Sequence, residues 1–318
     1  MRAGFALILV AVLGACGGDA GGGGDDGVTP DTAGIKPPGR GFQLQSPNID
    51  IQPGQEITYC WYFRTPNTVP MAITRWSSSM TPGSHHMIMY TSKTDIKPVG
   101  SVSAADCGAL AGGAGNFPVW TYSAQTPEDN LQLPTDDGTG KPLAVEVAAN
   151  QAGFIQMHYL NASDTPIQVH VTVTGDALDE GAAYTRTAAY VTYNGNINIP
   201  ALTSNYTQSM SCTVPATSKF WRMSTHAHKQ ATHTAVKDGP AMVFESINWE
   251  RPGAASWTDA TPFYTFASGK LTYECTWNNP TTHPIKTGDS AQTDEMCMAS
   301  GYFFPATQPA FCYNNVML

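Results

Sequence analysis

An all-β fold built of antiparallel sandwiches is the class this sequence predicts, on three observations. Short runs alternate between apolar and polar residues, as in Ile57-Thr-Tyr-Cys-Trp-Tyr-Phe63, Gly153-Phe-Ile-Gln-Met-His-Tyr159 and Ile167-Gln-Val-His-Val-Thr-Val173. This period of two places every second side chain on one face of a strand. Pro and Gly turns punctuate the runs, and no long helical period competes with them. Many short strands between turns favour sandwiches over a single long barrel.

From the N-terminus, Met1-Arg2 leads into an apolar run from Ala3 to Leu13, followed by Leu13-Gly14-Ala15-Cys16. A basic start, a short apolar core and small residues describe a secretory signal, too short for a permanent membrane span. The Leu-Gly-Ala-Cys ending resembles a bacterial lipoprotein signal over residues 1–16, with Cys16 as the lipidated residue. An ordinary signal peptide that happens to contain a cysteine is the alternative. Gly17 in place of Asp resembles lipoproteins sent on to the outer membrane, held there by acyl chains alone, on its periplasmic or cell-surface face. Residues 17–41 are Gly-rich, with Asp19, Asp25, Asp26 and Lys36-Pro37-Pro38-Gly39. Such a stretch buries too little apolar surface to offset its ordering entropy, and is expected to be a flexible tether.

About 275 residues follow, enough for one large or two ordinary domains. The polar, turn-rich run Thr174-Gly-Asp-Ala-Leu-Asp-Glu-Gly-Ala182 is the best linker candidate. It predicts domains at 42–178 and 184–318, facing each other across a cleft. A formal charge of −9 argues against a nucleic-acid partner, which would call for a basic stripe. With Cys16 set aside, Cys60, Cys107, Cys212, Cys275, Cys297 and Cys312 form an even set suited to disulfides outside the cytoplasm. The set has no Cys-x-x-Cys metal spacing. Its distribution suggests one bridge in the first half and two in the second.

The chemistry lies in histidines and one methionine. In Met223-Ser-Thr-His-Ala-His228, His226 and His228 share one face of a strand and can converge on one metal ion. Asp294-Glu-Met296-Cys297 offers a third donor, a thioether that favours copper(I) over zinc. In the first half, His85 and His86 enter an apolar strand after Pro82-Gly83. Adjacent strand residues face opposite ways, so both rings meet one ion only at a strand end, bend or bulge. His158 alternates with Gln156 in its own strand; taken by itself it reads as a hydrogen-bonded core histidine. Met296 taken by itself reads as gap-filling core.

His85-His86, Gln156-Met-His158-Tyr159, Thr225-His226-Ala-His228 and Asp294-Glu-Met296-Cys297 follow in order the copper ligands of the ascorbate-dependent type II copper monooxygenases. Over residues 42–318 the chain resembles that family, typified by peptidylglycine α-hydroxylating monooxygenase and dopamine β-monooxygenase. The resemblance implies two jelly-roll-like antiparallel sandwich domains in tandem and two copper ions. One copper, held by His85, His86 and His158, would store an electron. The other, held by His226, His228 and Met296, would meet O2 and the substrate C–H bond. The implied disulfides are Cys60–Cys107, Cys212–Cys312 and Cys275–Cys297. The implied reaction hydroxylates a small organic substrate with O2 and a reductant such as ascorbate, in a protein expected to be a monomer.

The chain also departs from the amidating branch of that family. Ser224 stands where that branch has a carboxylate-binding Arg, with Arg222 nearby on the same strand parity. Met298 and Ser300 replace an Asn and a Tyr, so Ser224, Met298 and Ser300 are the candidate substrate contacts and peptidylglycine is a poor substrate. A copper-binding lipoprotein for sensing or delivery is the non-catalytic alternative. A zinc hydrolase is disfavoured, since no Glu accompanies the histidines as in His-Glu-x-x-His. His170, His233 and His283 match no ligand position.

Overall fold

The alternating runs form strands, and the strands form an all-β sandwich protein. The computed structural model describes residues 35–318 apart from Asp106, Ala109, Leu110, Ala114, Asp259, Asp289 and the side chain of His85. The expected signal, Cys16 and the tether up to residue 34 lie outside the described residues. Among the described residues there is no α-helix.

The first half runs through β1 (Gly41–Gln45), β2 (Ile49–Ile51), β3 (Glu56–Arg64), β4 (Met71–Met80), β5 (Ser84–Ser92), β6 (Val102–Ser103) and β7 (Val119–Ala124). It continues with β8 (Glu128–Gln132), β9 (Leu143–Val147), β10 (Ala152–Leu160), β11 (Ile167–Val169), β12 (Val171–Ala177) and β13 (Thr185–Arg186). The second half comprises β14 (Ala188–Tyr193), β15 (Asn198–Ile199), β16 (Thr203–Thr213), β17 (Lys219–Ala227), β18 (Ala231–Asp238) and β19 (Ala241–Ser246). It ends with β20 (Ala255–Ser256), β21 (Lys270–Asn279), β22 (Ile285–Lys286), β23 (Cys297–Phe304), β24 (Ala310–Tyr313) and β25 (Val316–Met317).

In the first half, a sheet ordered β1-β12-β4-β9-β13, with β8 also on β4, packs on one ordered β6-β3-β10-β5-β7. In the second half, β20-β17-β23-β14-β24-β25 packs on β16-β21-β18-β19. Among the described residues strand pairing does not cross between halves, with the change of partner set after Arg186. Thr185 and Arg186, on the far side of the expected linker, pair in parallel with Leu143 and Ala144 of β9. The run Ile167–Val173 is interrupted at His170. There the amide donates to Thr81 Oγ1 (2.9 Å) and the carbonyl accepts from Thr81 N–H (3.2 Å), so β11 and β12 join different sheets.

β10 shows why its sequence is almost continuously apolar. Ile155, Met157 and Tyr159 enter the core between the first-half sheets, while Phe154 turns outward against Tyr62 and Tyr90. Trp76 is fully buried, edge-on to Phe42 (5.9 Å) and stacked on Tyr122 (5.8 Å). A buried aromatic of this size contributes on the order of 4–6 kcal/mol of gross transfer free energy. The same core continues into the second half. Ala189, Val191, Trp221, Met298, Tyr302 and Phe304, from the outer face of its first sheet, belong to the first-half cluster. The described residues accordingly form one compact unit. The disulfides are Cys60–Cys107, Cys212–Cys312 and Cys275–Cys297, the last two joining the two second-half sheets.

Candidate metal centre

The first-half histidines meet across neighbouring strands. β5 pairs with β10 so that His86 lies opposite His158 and Ser84 opposite Tyr159, and the register skips His85. This is a β-bulge at the histidine pair, the irregularity that adjacent histidines need. Gly83 sets up the entry to it, at φ +93°, where an added Cβ would come 2.6 Å from Ile167 Cδ1. The His86 and His158 rings stand 5.1 Å apart, edge to face. His158 is 4% exposed, and its Nε2 lies 3.0 Å from Glu56 Oε1. The carboxylate accepts the Nε2 proton, which leaves the lone pair of the neutral ring on Nδ1.

The second-half donors are set by one strand pair. β17 runs antiparallel to β23 with His226 opposite Met298, Ser224 opposite Ser300 and Arg222 opposite Tyr302. Residues directly opposite share a face, so these six side chains line the side of the sheet turned toward the first half. Met223 and Ala227 point the other way, into the second-half core. Past the end of β17, His228 is 1% exposed, and its Nδ1–H donates to the Asp294 carbonyl at 3.2 Å. A carbonyl can only accept, so in the neutral ring the lone pair lies on Nε2, the form a metal requires. The His226 and His228 rings are 5.4 Å apart.

Both sets of histidines belong to a single row. His86 and His226, from opposite halves, stand 5.7 Å apart, so His158, His86, His226 and His228 follow one another ring to ring. The halves touch at the histidines, and a cavity of about 930 Å³ lies between them. His86, His226, Met296, Met298 and Ser300 all line it, with Trp120, Tyr193, Phe311 and Tyr313 as aromatic walls. Tyr193 and Tyr313 are stacked at 5.8 Å. Ser224 lines a smaller neighbouring cavity, and its hydroxyl donates to the Gly253 carbonyl at 2.6 Å.

Among the described residues, no group of three His, Cys, Asp or Glu side chains is arranged to hold a metal ion. Each expected triad contains a donor outside that set: His85, whose side chain is not described, and the thioether of Met296. The donor chemistry fits copper all the same: imidazoles whose second nitrogens are held by Glu56 and by a carbonyl, and a thioether on the same cavity wall.

Glu295 was not singled out by its spacing, yet it organises the second-half donors. It is fully buried and accepts N–H groups from His228 (3.0 Å), Gln230 (2.7 Å) and the Trp277 indole (2.9 Å). Burial pushes its carboxyl up to about 7, although these donors pull the other way. Glu56 was likewise missed. The remaining histidines stand apart from the row; His233, for one, meets Glu245 at 3.1 Å.

No family model matches the chain, and no curated protein matches it. A solved structure that aligns with it is the crystal structure of PBCV-1 VP54 fitted into a cryo-EM reconstruction of the virophage Sputnik. The identity is 6%, over 82% of this chain and 93% of that one, with a TM-score of 0.27. A likeness at that TM-score carries no argument.

Proposed function

We propose that this chain is a copper-dependent monooxygenase that hydroxylates a C–H bond of a small organic substrate, using O2 and an external reductant such as ascorbate. The observation that carries the reading is the convergence of His86, His226 and Met296 on one cavity of about 930 Å³. A copper carrier needs donors; it has no use for a chamber of that size beside them.

In this reading His85, His86 and His158 hold one copper, and His226, His228 and Met296 hold a second. When bound, copper supplies the electron storage and O2 activation that no side chain offers. Glu56 and the Asp294 carbonyl hold two of the rings in the ligating tautomer, and the Met296 thioether favours the reduced ion. Met298, Trp120 and Phe311 receive the body of the substrate and keep water from the reacting atoms. Lys97 is the one charged side chain, histidines aside, among the described lining residues, which suits an uncharged body.

The same reading takes 42–178 and 184–318 as two jelly-roll-like domains, and the chain as exported, lipid-anchored through Cys16 at the outer membrane, and monomeric. Metal analysis coupled to ascorbate-driven oxygen uptake tests it. The expected result is two coppers per chain and uptake abolished by Met296→Ala and by His226→Ala. Bound copper without uptake would favour the lipoprotein carrier, and zinc in its place would overturn both.

A further inference from the structure

A second cavity of about 310 Å³ adjoins the first, lined among others by Arg222, Arg251, Ser224, Asp129 and Tyr302. Trp120, Ser123, Gln125 and Ser300 line both cavities, so the two share a wall. Its content of charge is unusual for this molecule, which carries 16 Lys and Arg against 25 Asp and Glu. Of the six arginines among the described residues, Arg40, Arg64, Arg75 and Arg186 each lie 2.9–3.9 Å from a carboxylate. Arg222 and Arg251 are the two that do not, and both line this cavity. Arg222 Nη1 donates only to the Ser256 hydroxyl, at 3.2 Å. Asp129 opposes them from the first-half wall, where its Oδ2 accepts the Tyr122 hydroxyl at 2.7 Å. Two guanidinium groups against one carboxylate leave the cavity with one net positive charge.

We propose that this cavity is an anion subsite, taking the carboxylate end of a substrate whose uncharged apolar body fills the larger cavity. Guanidinium groups match the planar, two-oxygen geometry of a carboxylate. The strand sets the length of the ligand. Arg222 and His226 are four residues apart on one face of β17, about 13 Å at the usual strand rise. The anionic end is therefore separated from the histidine row by a body the length of a medium alkyl chain or an arylalkyl group. That the far end of this body is the position oxidised rests on the copper-monooxygenase reading; the subsite itself does not.

Calorimetric titration of the full chain with matched pairs tests it: decanoate against decan-1-ol, and 4-phenylbutyrate against 4-phenylbutan-1-ol. In at least one pair the acid is expected to bind about ten- to a hundredfold more tightly than its alcohol, the range of a charge-assisted hydrogen-bonded pair. Arg222→Gln and Arg251→Gln should each narrow that gap to about threefold or less and leave the alcohol unchanged. Arg251 is exposed, so its variant carries the test even where Arg222→Gln unfolds. Equal binding of acid and alcohol, a gap that survives both substitutions, or no binding at millimolar ligand would each overturn the proposal. A gap that vanishes in the variants of a protein without copper-dependent oxygen uptake would keep the subsite and sink the enzyme reading. Uptake with no such gap would do the reverse.

Discussion

Glu295 shows how one residue can carry a site without ligating anything. Its two oxygens satisfy both flanks of the turn that presents His228, and its backbone leads directly into Met296. Truncation would strand the buried His228 amide and Trp277 indole N–H, each at a cost of about 1–3 kcal/mol, and would free the part-buried Gln230 amide. Glu295→Ala is therefore expected to lower the unfolding free energy by about 3 kcal/mol or more in denaturant titrations. A loss below about 1 kcal/mol would show that the turn finds other acceptors. In the sequence this glutamate is only an acidic neighbour of Met296. Its partners lie 18, 65 and 67 residues away, at separations that no local pattern encodes. The candidate metal donors stand out in the sequence because their chemistry is rare, whereas Glu56 and Glu295 are common residues made special by burial and by what folds onto them.

At the level of strands, the β17–β23 ladder unites the site. It sets His226 against Met298, while the Cys275–Cys297 bridge ties the start of β23 to β21 in the opposite sheet. That bridge closes a loop of sequence separation 22, for which chain entropy gives about 3 kcal/mol. Replacing both cysteines with serine is expected to cost about that much in denaturant titrations and, on the copper reading, to weaken copper binding in competition with a chelator, because Met296 adjoins the freed strand end. Unchanged affinity in a folded double variant would show that the ladder alone places the thioether. Strand existence was legible from period-two runs, and Pro82-Gly83 pointed to the irregularity at His85-His86. The break at His170 was not legible: valines flank it as in a strand, and only the hydrogen bonds of Thr81, brought in from the β4–β5 turn, end the pairing there.

Across the whole molecule, the two halves keep their strands apart and share their core. Trp221, 2% exposed, stacks on Tyr302 at 4.9 Å and donates to Thr187 Oγ1 at 2.8 Å, in the core that the two halves share. The sequence suggested two domains and a cleft; it did not suggest that the outer face of one sheet would complete the neighbouring core, because alternation cannot say what covers the second face of a strand. The connection between halves is pinned by Asp137, which is 7% exposed and accepts the Thr185 hydroxyl at 2.5 Å and the Thr139 amide and hydroxyl at 2.7 Å each. Burial pushes its carboxyl up, but these bonds prevail and hold it down to about 2. A carboxyl depressed in the folded state stabilises fully above its unfolded value, near 3.8, and loses that contribution as pH falls through 2. The stability advantage of the native chain over Asp137→Asn should thus hold constant above about pH 5 and shrink by about 1–2 kcal/mol on descent to pH 2. Denaturant titrations of both proteins across that range measure it. An advantage that stays flat to pH 2 would mean that Thr185 is held to the first half by β9 alone.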